Sequence, residues 1–416
     1  MLCDFKAVCH QSRIKNNNNP NTYHKNATET SATGLICSLG IKVRTHMTQM
    51  EIYKIIYIVL LLSVFFEFSQ SINLKRIVLL FWCFFLTLFS GLRWGVGTDW
   101  EQYYDHFLQS NWSNIFSYDR YGTGKEILEP GFVFINALIK SLFGEFYIYN
   151  IIITFFIQIT NYKFSTFFSK KHPILLFVFI SLIQAVCFPV RAQLSQAICY
   201  WAYILLFDKK NIKALIVIIL ASLIHKQCLA LLPLVFIGRI KIQGYLFLLL
   251  FALLSISTFL LQKYFIMITM LFDNGIAEKA QWYTEFETET GGKNFGLMAI
   301  ALNLFFLINY LVIRKLENLK DDLFYNTILN AYFVYLGIFF AFSDGMGDLA
   351  RLSFLYFPAH AILFSKTVDY YLNEKKMIFK YCVSLFYVSY GIYKIIQIGS
   401  WYFFEEAMIP YRTIFD

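Results

Sequence analysis

The run RIVLLFWCFFLTLFSGL at residues 76–92 carries a single charge, on its first residue. Its length suits a membrane-crossing helix, which needs about 17–25 mostly apolar residues. The apolar residues are continuous, whereas a membrane β-strand alternates apolar residues with polar ones. In lipid, such a continuous run satisfies its backbone polar groups only as a helix. The run therefore predicts a transmembrane helix.

The chain has eleven further apolar runs, and together the twelve predict an all-α, polytopic transmembrane helical bundle of about 12 spans. The predicted spans are 53–69, 76–92, 147–167, 173–189, 192–207, 213–225, 227–238, 244–267, 295–313, 323–343, 351–366 and 377–398. Two of them, 213–225 and 227–238, are short and could form one kinked pair around His225 and Pro233. The apolar segment 131–143 is also short, and it is predicted as a re-entrant or interfacial helix.

The composition of the whole chain agrees with a membrane protein. Of its 416 residues, 58% are hydrophobic, 19% are aromatic and 15% are charged. Soluble globular chains have about 45–50% apolar and about 25% charged residues. A soluble enzyme, a disordered protein and a nucleic-acid-binding module are therefore excluded as first interpretations. The eight cysteines include no CxxC pair, so neither a zinc site nor a disulfide framework is predicted.

Residues 1–46 differ from the rest of the chain. They contain NNNNPN at 16–21 and lack the ordered basic, apolar and small-residue regions of a signal peptide. We expect this segment to be disordered or a mis-assigned start, with the true start at Met47 or Met50. Residues 47–416 are predicted to form a single polytopic membrane domain with outer loops at 93–130 and 268–294.

Lysine and arginine residues set the orientation of such a bundle, because cytoplasmic loops carry the positive excess. One set of alternate loops, from Lys75 to Lys376, holds 16 basic residues in six short loops. The opposite set, which includes both large loops and the C-terminal tail, holds nine. The first set is therefore predicted to be cytoplasmic and the second to lie outside. This alternation requires that 131–143 does not cross the membrane.

On this topology, unusual charged residues gather at the outer helix ends. They are Arg93, Asp99, Arg191, His225, Lys226, Asp344, Asp348, Arg351 and Arg412. A single arginine at a helix end often reaches to the lipid headgroups, and Asp348 could simply pair with Arg351. As a set, however, several arginines near a membrane surface suit a lipid-linked phosphate or pyrophosphate, which guanidinium groups bind bidentately. Outer-loop aromatics such as Tyr103 could stack on sugar rings.

Six short motifs, taken in order, resemble those of the EpsG-type, Wzy-like polysaccharide polymerases. The resemblance covers about residues 51–416 and none of residues 1–46. The motifs are GLRWGVGTDWEQYYDHF at 91–107, EPGFVFINALIKSLFG at 129–144, FPVRAQLSQAICYWAYILLF at 188–207, ASLIHKQCLALLPLVF at 221–236, DLARLSFLYF at 348–357 and IPYRTIF at 409–415.

The resemblance implies a GT-C-like membrane glycosyltransferase that polymerises oligosaccharide repeat units carried on undecaprenyl pyrophosphate. Its product would be an exopolysaccharide, a capsule or an O-antigen. Such enzymes work on the outer face of the cytoplasmic (inner) membrane and use a lipid-pyrophosphate leaving group. We expect no cofactor, no metal ion and no nucleic acid. The expected partners are the lipid-linked oligosaccharide, membrane lipids, and chain-length regulator and flippase proteins.

In the mechanism that follows from this resemblance, an acceptor hydroxyl attacks the anomeric carbon of the donor and displaces the lipid pyrophosphate. Asp99 and His225 are the candidate bases for the hydroxyl proton. The neutral imidazole of His225 is suited to this task near pH 7, whereas the Asp99 carboxylate would need a raised pKa. The candidate catalytic residues are Asp99, Arg191 and His225. The candidate substrate-binding residues are Arg93, Tyr103, Glu129, Lys226, Arg351 and Arg412.

Two other functions fit parts of the sequence. A lipid-linked oligosaccharide flippase also has many helices, but its charges would line a path at midplane depth, often with internal repeats. Here the charges gather at one face. An O-antigen ligase-type transferase would share the outer arginines and the large loop, and the sequence separates it poorly from a polymerase.

Overall fold

The computed structural model describes residues 52–97, 99–120, 127–184, 191–238, 240–256, 297–342, 351–373, 377–399 and 411–416. Several sequence predictions lie outside these residues. They concern the segment 1–46, the loop 268–294, and Asp344 and Asp348.

Within the described residues the regular elements are helical, as the apolar runs predicted. The α-helices are α1 at 52–62, α2 at Ile72–Gly91, α3 at Trp100–Gln109, α4 at Pro130–Phe143, α5 at Phe146–Phe168, α6 at Pro173–Gln184, α7 at Arg191–Phe207, α8 at Asn211–Ser222, α9 at Leu234–Ile237, α10 at Gly244–Ile256, α11 at Leu297–Leu316, α12 at Leu323–Phe342, α13 at Ser353–Asn373 and α14 at Met377–Gly399. Short 3-10 segments occur at Ser63–Phe68, Lys226–Leu231 and Leu319–Asp321.

In the described part of the chain, two helices are long and apolar enough to cross a membrane: Ile72–Gly91, and Leu323–Ala341 within α12. The segment around His225 and Pro233 forms α8, a 3-10 segment and the short α9, so the apolar run is interrupted where the sequence allowed a kinked pair. The count of about 12 spans and the GT-C-like architecture stay predictions.

Helices α2 and α5 pack against each other in antiparallel directions. A Cβ added to Gly91, the last residue of α2, would lie 2.9 Å from the Cα of Ile151, near the start of α5. Further along both helices, the Cys83 thiol donates to the carbonyl of Gln158 at 3.4 Å. The end of α2 and the start of α5 therefore lie at the same end of the bundle, which we call the site end.

The opposite end of the bundle is fastened by a buried ion-pair cluster. Lys75 Nζ lies 2.8 Å from Glu67 Oε1, and His172 Nδ1 lies 3.4 Å from the same oxygen. The second oxygen of Glu67 accepts the N–H of Ile174 at 2.8 Å, near the start of α6. Lys75 also donates to the carbonyl of Lys171 at 2.7 Å. These contacts join the 3-10 segment after α1 to α2 and α6.

Helix α4 stays at the site end. With 14 residues it is about 21 Å long, shorter than a bilayer core of about 30 Å. Near its start, Phe132 contacts the ring of Tyr103 on α3. Near its end, Lys140 donates to the carbonyl of Ser110, just after α3. Both halves of α4 thus lie beside α3, and that the segment does not cross the membrane stays a prediction.

The C-terminal segment 411–416 is bound to the loop after α2. The N–H of Trp94 donates to the carbonyl of Arg412 at 3.0 Å, and the N–H of Ile414 donates to the carbonyl of Leu92 at 3.1 Å. These two bonds form a short antiparallel bridge between parts of the chain that are far apart in sequence. The tail therefore fixes the loop that leads into α3.

We expect Tyr411→Ala to destabilise the protein. The Tyr411 ring stacks on Phe89 with a centroid distance of 4.7 Å, and its hydroxyl donates to the Phe89 carbonyl at 2.7 Å. Loss of the ring contact and the hydrogen bond should cost about 2 kcal/mol and lower the melting temperature in detergent. Phe415→Ala is the matched control, because the Phe415 side chain is 80% exposed. Equal melting temperatures for the two variants would contradict this account of the tail.

Candidate functional site

Three segments that are far apart in sequence meet at the Glu129 carboxylate. Its Oε2 atom accepts from Arg191 Nη1 at 2.9 Å. Its Oε1 atom lies 3.4 Å from His225 Nδ1 and accepts the backbone N–H of Lys226 at 3.1 Å. The Glu129 and Arg191 side chains are each 10% exposed and that of His225 is 13% exposed. The group is therefore shielded but still open to a ligand.

Helix termini bring these side chains together. Glu129 is the N-cap residue of α4, and Pro130 follows as the first helical residue, a position that favours proline. Arg191 is the first residue of α7, and His225 directly precedes the 3-10 segment after α8. Because each residue stands where its helix begins or ends, its side chain reaches the space between the helix ends.

Glu129 is held as a carboxylate. Burial raises the pKa of Glu129, but the hydrogen bond with His225, the charge of Arg191 and the N–H of Lys226 outweigh burial and bring the pKa to about 2. The group is thus ionised at neutral pH. A carboxylate with so low a pKa is a poor base, so its role is to hold its two partners.

His225 is neutral at pH 7. Burial lowers the pKa of His225 below its usual value of 6.5, the charges of Arg191 and Arg120 lower it further, and the hydrogen bond with Glu129 acts in the opposite direction. A carboxylate beside Nδ1 favours the tautomer with the proton on that nitrogen. The lone pair of Nε2 is then available to accept a proton.

Arg191 retains binding capacity beyond its pair with Glu129. Its Nε–H is buried and has no hydrogen-bond partner among the residues that the structure describes. An orphaned buried donor is costly, and such groups are usually satisfied in the working state of a protein. The guanidinium therefore offers a second N–H to an anion bound beside the Glu129 pair.

Two further arginines act on the same space. Burial raises the pKa of the Tyr103 phenol, while the charges of Arg191, Arg120 and Arg351 lower it and that of Asp99 raises it. All four charged groups therefore act electrostatically on the Tyr103 hydroxyl. Three positive charges around one aromatic residue form a site for a multiply charged anion.

Local hydrogen bonds hold Arg120 at this site. The N–H of Leu128 donates to the carbonyl of Tyr118 at 2.9 Å, and Asp119 and Ile127 form an isolated antiparallel bridge. This pairing fixes the chain as far as Asp119, directly before Arg120, whose charge acts on Tyr103, His106 and His225.

Arg351 is fixed through the first turn of α13. Its carbonyl accepts the N–H of Phe354 at 3.0 Å, and the carbonyl of Phe354 accepts from Gln196 Nε2 at 2.8 Å. Since Gln196 lies on α7, the same helix positions both Arg191 and Arg351.

His106 on α3 is a second neutral imidazole beside the arginines. Its Nδ1 lies 3.0 Å from the hydroxyl of Tyr118. Burial lowers the pKa of His106 to about 4, and the charges of Arg120 and Arg191 contribute to the decrease. Sequence reasoning singled out neither His106 nor Arg120. Both fall within the outer loop that it did mark, but the sequence does not show which loop side chains turn inward.

Of the nine residues named from sequence, six gather here: Asp99, Tyr103, Glu129, Arg191, His225 and Arg351. Lys226 joins them through its backbone N–H, and its side chain is exposed. The Arg93 side chain is fully buried, donates to Ser90 Oγ at 3.3 Å and lies 5.8 Å from the centre of the Phe89 ring, both on α2, while its backbone pairs with Thr413. Arg412 belongs to the C-terminal segment, and its side chain is exposed.

A close backbone contact sets the spacing between Glu129 and His225. The N–H of Gly131 donates to the carbonyl of Leu223 at 2.8 Å, which joins the start of α4 to the end of α8. A Cβ at position 131 would lie 2.7 Å from that same carbonyl oxygen. Only glycine allows this approach, so residue 131 controls how near Glu129 comes to His225.

We therefore expect Gly131→Ala to lower both stability and activity. The methyl group must push α4 away from α8, and overpacking of this kind costs about 1–3 kcal/mol. Gly337→Ala is the matched control, because a Cβ there meets nothing within 4 Å. Since alanine favours a helix over glycine by about 1 kcal/mol, Gly337→Ala should not lose stability. Thermal unfolding of the two purified variants tests the contact, and an unchanged melting temperature for Gly131→Ala would refute it.

The model of the EpsG family matches residues 76–413, which include every residue of the site described above. No curated protein and no solved structure matches the chain.

Proposed function

Because the chain belongs to the EpsG family, which suggests a polysaccharide polymerase role, we propose that it extends polysaccharide by joining lipid-linked oligosaccharide repeat units. The proposed substrate is an oligosaccharide on undecaprenyl pyrophosphate, and the product is an exopolysaccharide, capsule or O-antigen. The observation that carries this proposal is the buried group of Glu129, Arg191 and His225, which combines a carboxylate-oriented neutral imidazole with an arginine.

In the proposed reaction, His225 is the general base. Its Nε2 takes the proton of the acceptor hydroxyl while the hydroxyl oxygen forms a bond to the anomeric carbon of the donor. The bond between that carbon and the pyrophosphate oxygen breaks, and its electron pair leaves with the lipid pyrophosphate. Glu129 holds the imidazole in the required tautomer. Asp99 stays an alternative base, since its charge also acts on the Tyr103 hydroxyl.

The arginines stabilise the leaving group in this proposal. Negative charge grows on the pyrophosphate as the bond breaks, and preorganised cations lower the barrier most when they meet charge that develops in the transition state. The charges of Arg120, Arg191 and Arg351 all act on the Tyr103 hydroxyl, which supports a shared role for them. We propose that these guanidinium groups perform this role without a metal ion.

The orientation proposed for the enzyme puts this site on the outer face of the cytoplasmic membrane. Lys75 and Lys171 lie at the opposite end of the bundle, where they contact each other. Lysines in short loops favour the cytoplasmic side. The site end, with its large loop and α3, would then face outward.

Deletion of the gene, followed by gel electrophoresis of the surface polysaccharide, tests the proposal against its alternatives. If the protein is the polymerase, the deletion strain should contain material of one repeat unit and no ladder above it. Full-length polymer retained on its lipid carrier would instead identify a ligase. Precursor that accumulates on the inner side would identify a flippase.

A further inference from the structure

Helix α4 exposes one apolar stripe that starts at its contact with α8. Phe134, Leu138 and Leu142 are all exposed, by 43%, 36% and 65%. They follow Gly131 by three, seven and eleven residues, so they share its face of the helix. The stripe therefore leads directly away from the point where Gly131 meets Leu223.

Helix α8 exposes a matching stripe that ends at the same contact. Ile212, Ile216 and Ile219 are exposed and precede the exposed Leu223 by eleven, seven and four residues. This spacing places them on the face of α8 that carries Leu223. Because both stripes share a face with the contact point, we infer that they flank one apolar space that leads away from it, which we call the wedge between α4 and α8.

The narrow end of this wedge lies at the candidate site. Glu129 comes two residues before Gly131, and His225 comes two residues after Leu223. The Glu129 carboxylate and the His225 imidazole are in contact across this junction. A molecule in the wedge would thus have an apolar surface along its length and arginine charges at its end.

We propose that the wedge between α4 and α8 holds the polyisoprenyl chain of the lipid-linked substrate and so delivers the attached pyrophosphate to Arg191. An amphiphile with a long hydrocarbon chain and a doubly charged headgroup complements both parts of this surface: the apolar stripes and the arginine group. This inference rests on the proposed function, because it assigns the position of that function's substrate.

Photocrosslinking of the full chain in lipid nanodiscs tests the wedge. A photoreactive benzophenone residue is placed at Leu138 or Ile216 within the wedge, and at Phe84 or Leu385 as controls. The controls lie on α2 and α14 and are 65% and 67% exposed. The probe is radiolabelled undecaprenyl pyrophosphate without sugar, with unlabelled undecaprenyl pyrophosphate or phosphatidylglycerol as competitor.

The wedge should be labelled about tenfold more strongly than the controls, as a preference of about 1.4 kcal/mol gives. The labelling should saturate, and undecaprenyl pyrophosphate but not phosphatidylglycerol should displace it. Equal labelling at all four positions, or displacement by both lipids alike, would show that the wedge contacts only bulk lipid and would overturn the inference.

The result is independent of polymerisation. Selective labelling combined with normal polymer in a His225→Asn strain would leave the wedge standing and remove the catalytic proposal. Uniform labelling combined with loss of polymer in that strain would remove the wedge and leave the catalytic proposal standing.

Discussion

Replacing His225 with asparagine is expected to abolish chain extension without loss of the protein. Asparagine is close in size, but it has no nitrogen that can take a proton near pH 7. Removal of a positioned general base typically costs about 10²–10⁴-fold in rate. The measurement is the polysaccharide ladder in a strain that carries the variant, together with the amount of protein in the membrane fraction.

His172→Asn is the matched control. His172 also contacts a buried glutamate, Glu67, at 3.4 Å, but it does so at the opposite end of the bundle. The same substitution there should leave the ladder intact. A full ladder with His225→Asn would exclude His225 as the base and leave Asp99 as the remaining candidate from the sequence.

The pH dependence of the purified enzyme separates the roles of His225 and Glu129. Because the pKa of His225 is lowered from 6.5, the imidazole becomes protonated only at a pH below that ordinary value. Activity should therefore fall only as the pH drops through the lowered pKa. Glu129 acts to raise the pKa of His225, so in Glu129→Gln the acid limb should move to still lower pH. The maximal rate should fall as well, because the tautomer is no longer held. A fall in rate with an unmoved acid limb would argue against this positioning role.

The sequence predicts the helices of this protein better than the detail of its site. Continuous apolar runs marked the regions of α2, α5, α7 and α12, because burial in lipid leaves a helix as the only way to satisfy the backbone. The short run at 131–143 was predicted as a re-entrant or interfacial helix, and the structure has a helix of 14 residues there. In each case the signal is local and depends on composition alone.

The pairing at the site was not visible in the sequence. Glu129 was marked as a substrate-binding residue, yet the structure shows it bound to Arg191 and His225, which lie 62 and 96 positions away. Such pairings depend on how the helix ends pack, and Gly131 against Leu223 is the contact that brings them about. Arg120 was missed for a similar reason: its place beside the site depends on pairing between two parts of one loop.

Arg191→Gln is expected to abolish chain extension and also to destabilise the protein. Loss of one preorganised donor to developing negative charge typically costs about 10²–10³-fold in rate. In addition, Glu129 would lose its cation while it remains 10% exposed. Breaking a buried pair from one side costs about 3–5 kcal/mol. Loss of polymer in this variant alone would therefore not separate catalysis from folding.

The double variant Arg191→Gln/Glu129→Gln makes that separation. With both charges removed, no buried carboxylate is left unpaired, so the melting temperature should return most of the way to that of the wild type. Chain extension should stay absent, because nothing replaces the guanidinium beside the pyrophosphate. Arg76→Gln, an exposed arginine at the opposite end of the bundle, should match the wild type in both measurements. A double variant that regained both stability and polymer would show that Arg191 serves only to neutralise Glu129.

Arg191→Lys separates the charge of Arg191 from its shape, since lysine keeps the charge but not the planar fork. It should keep most of the stability and recover only part of the rate.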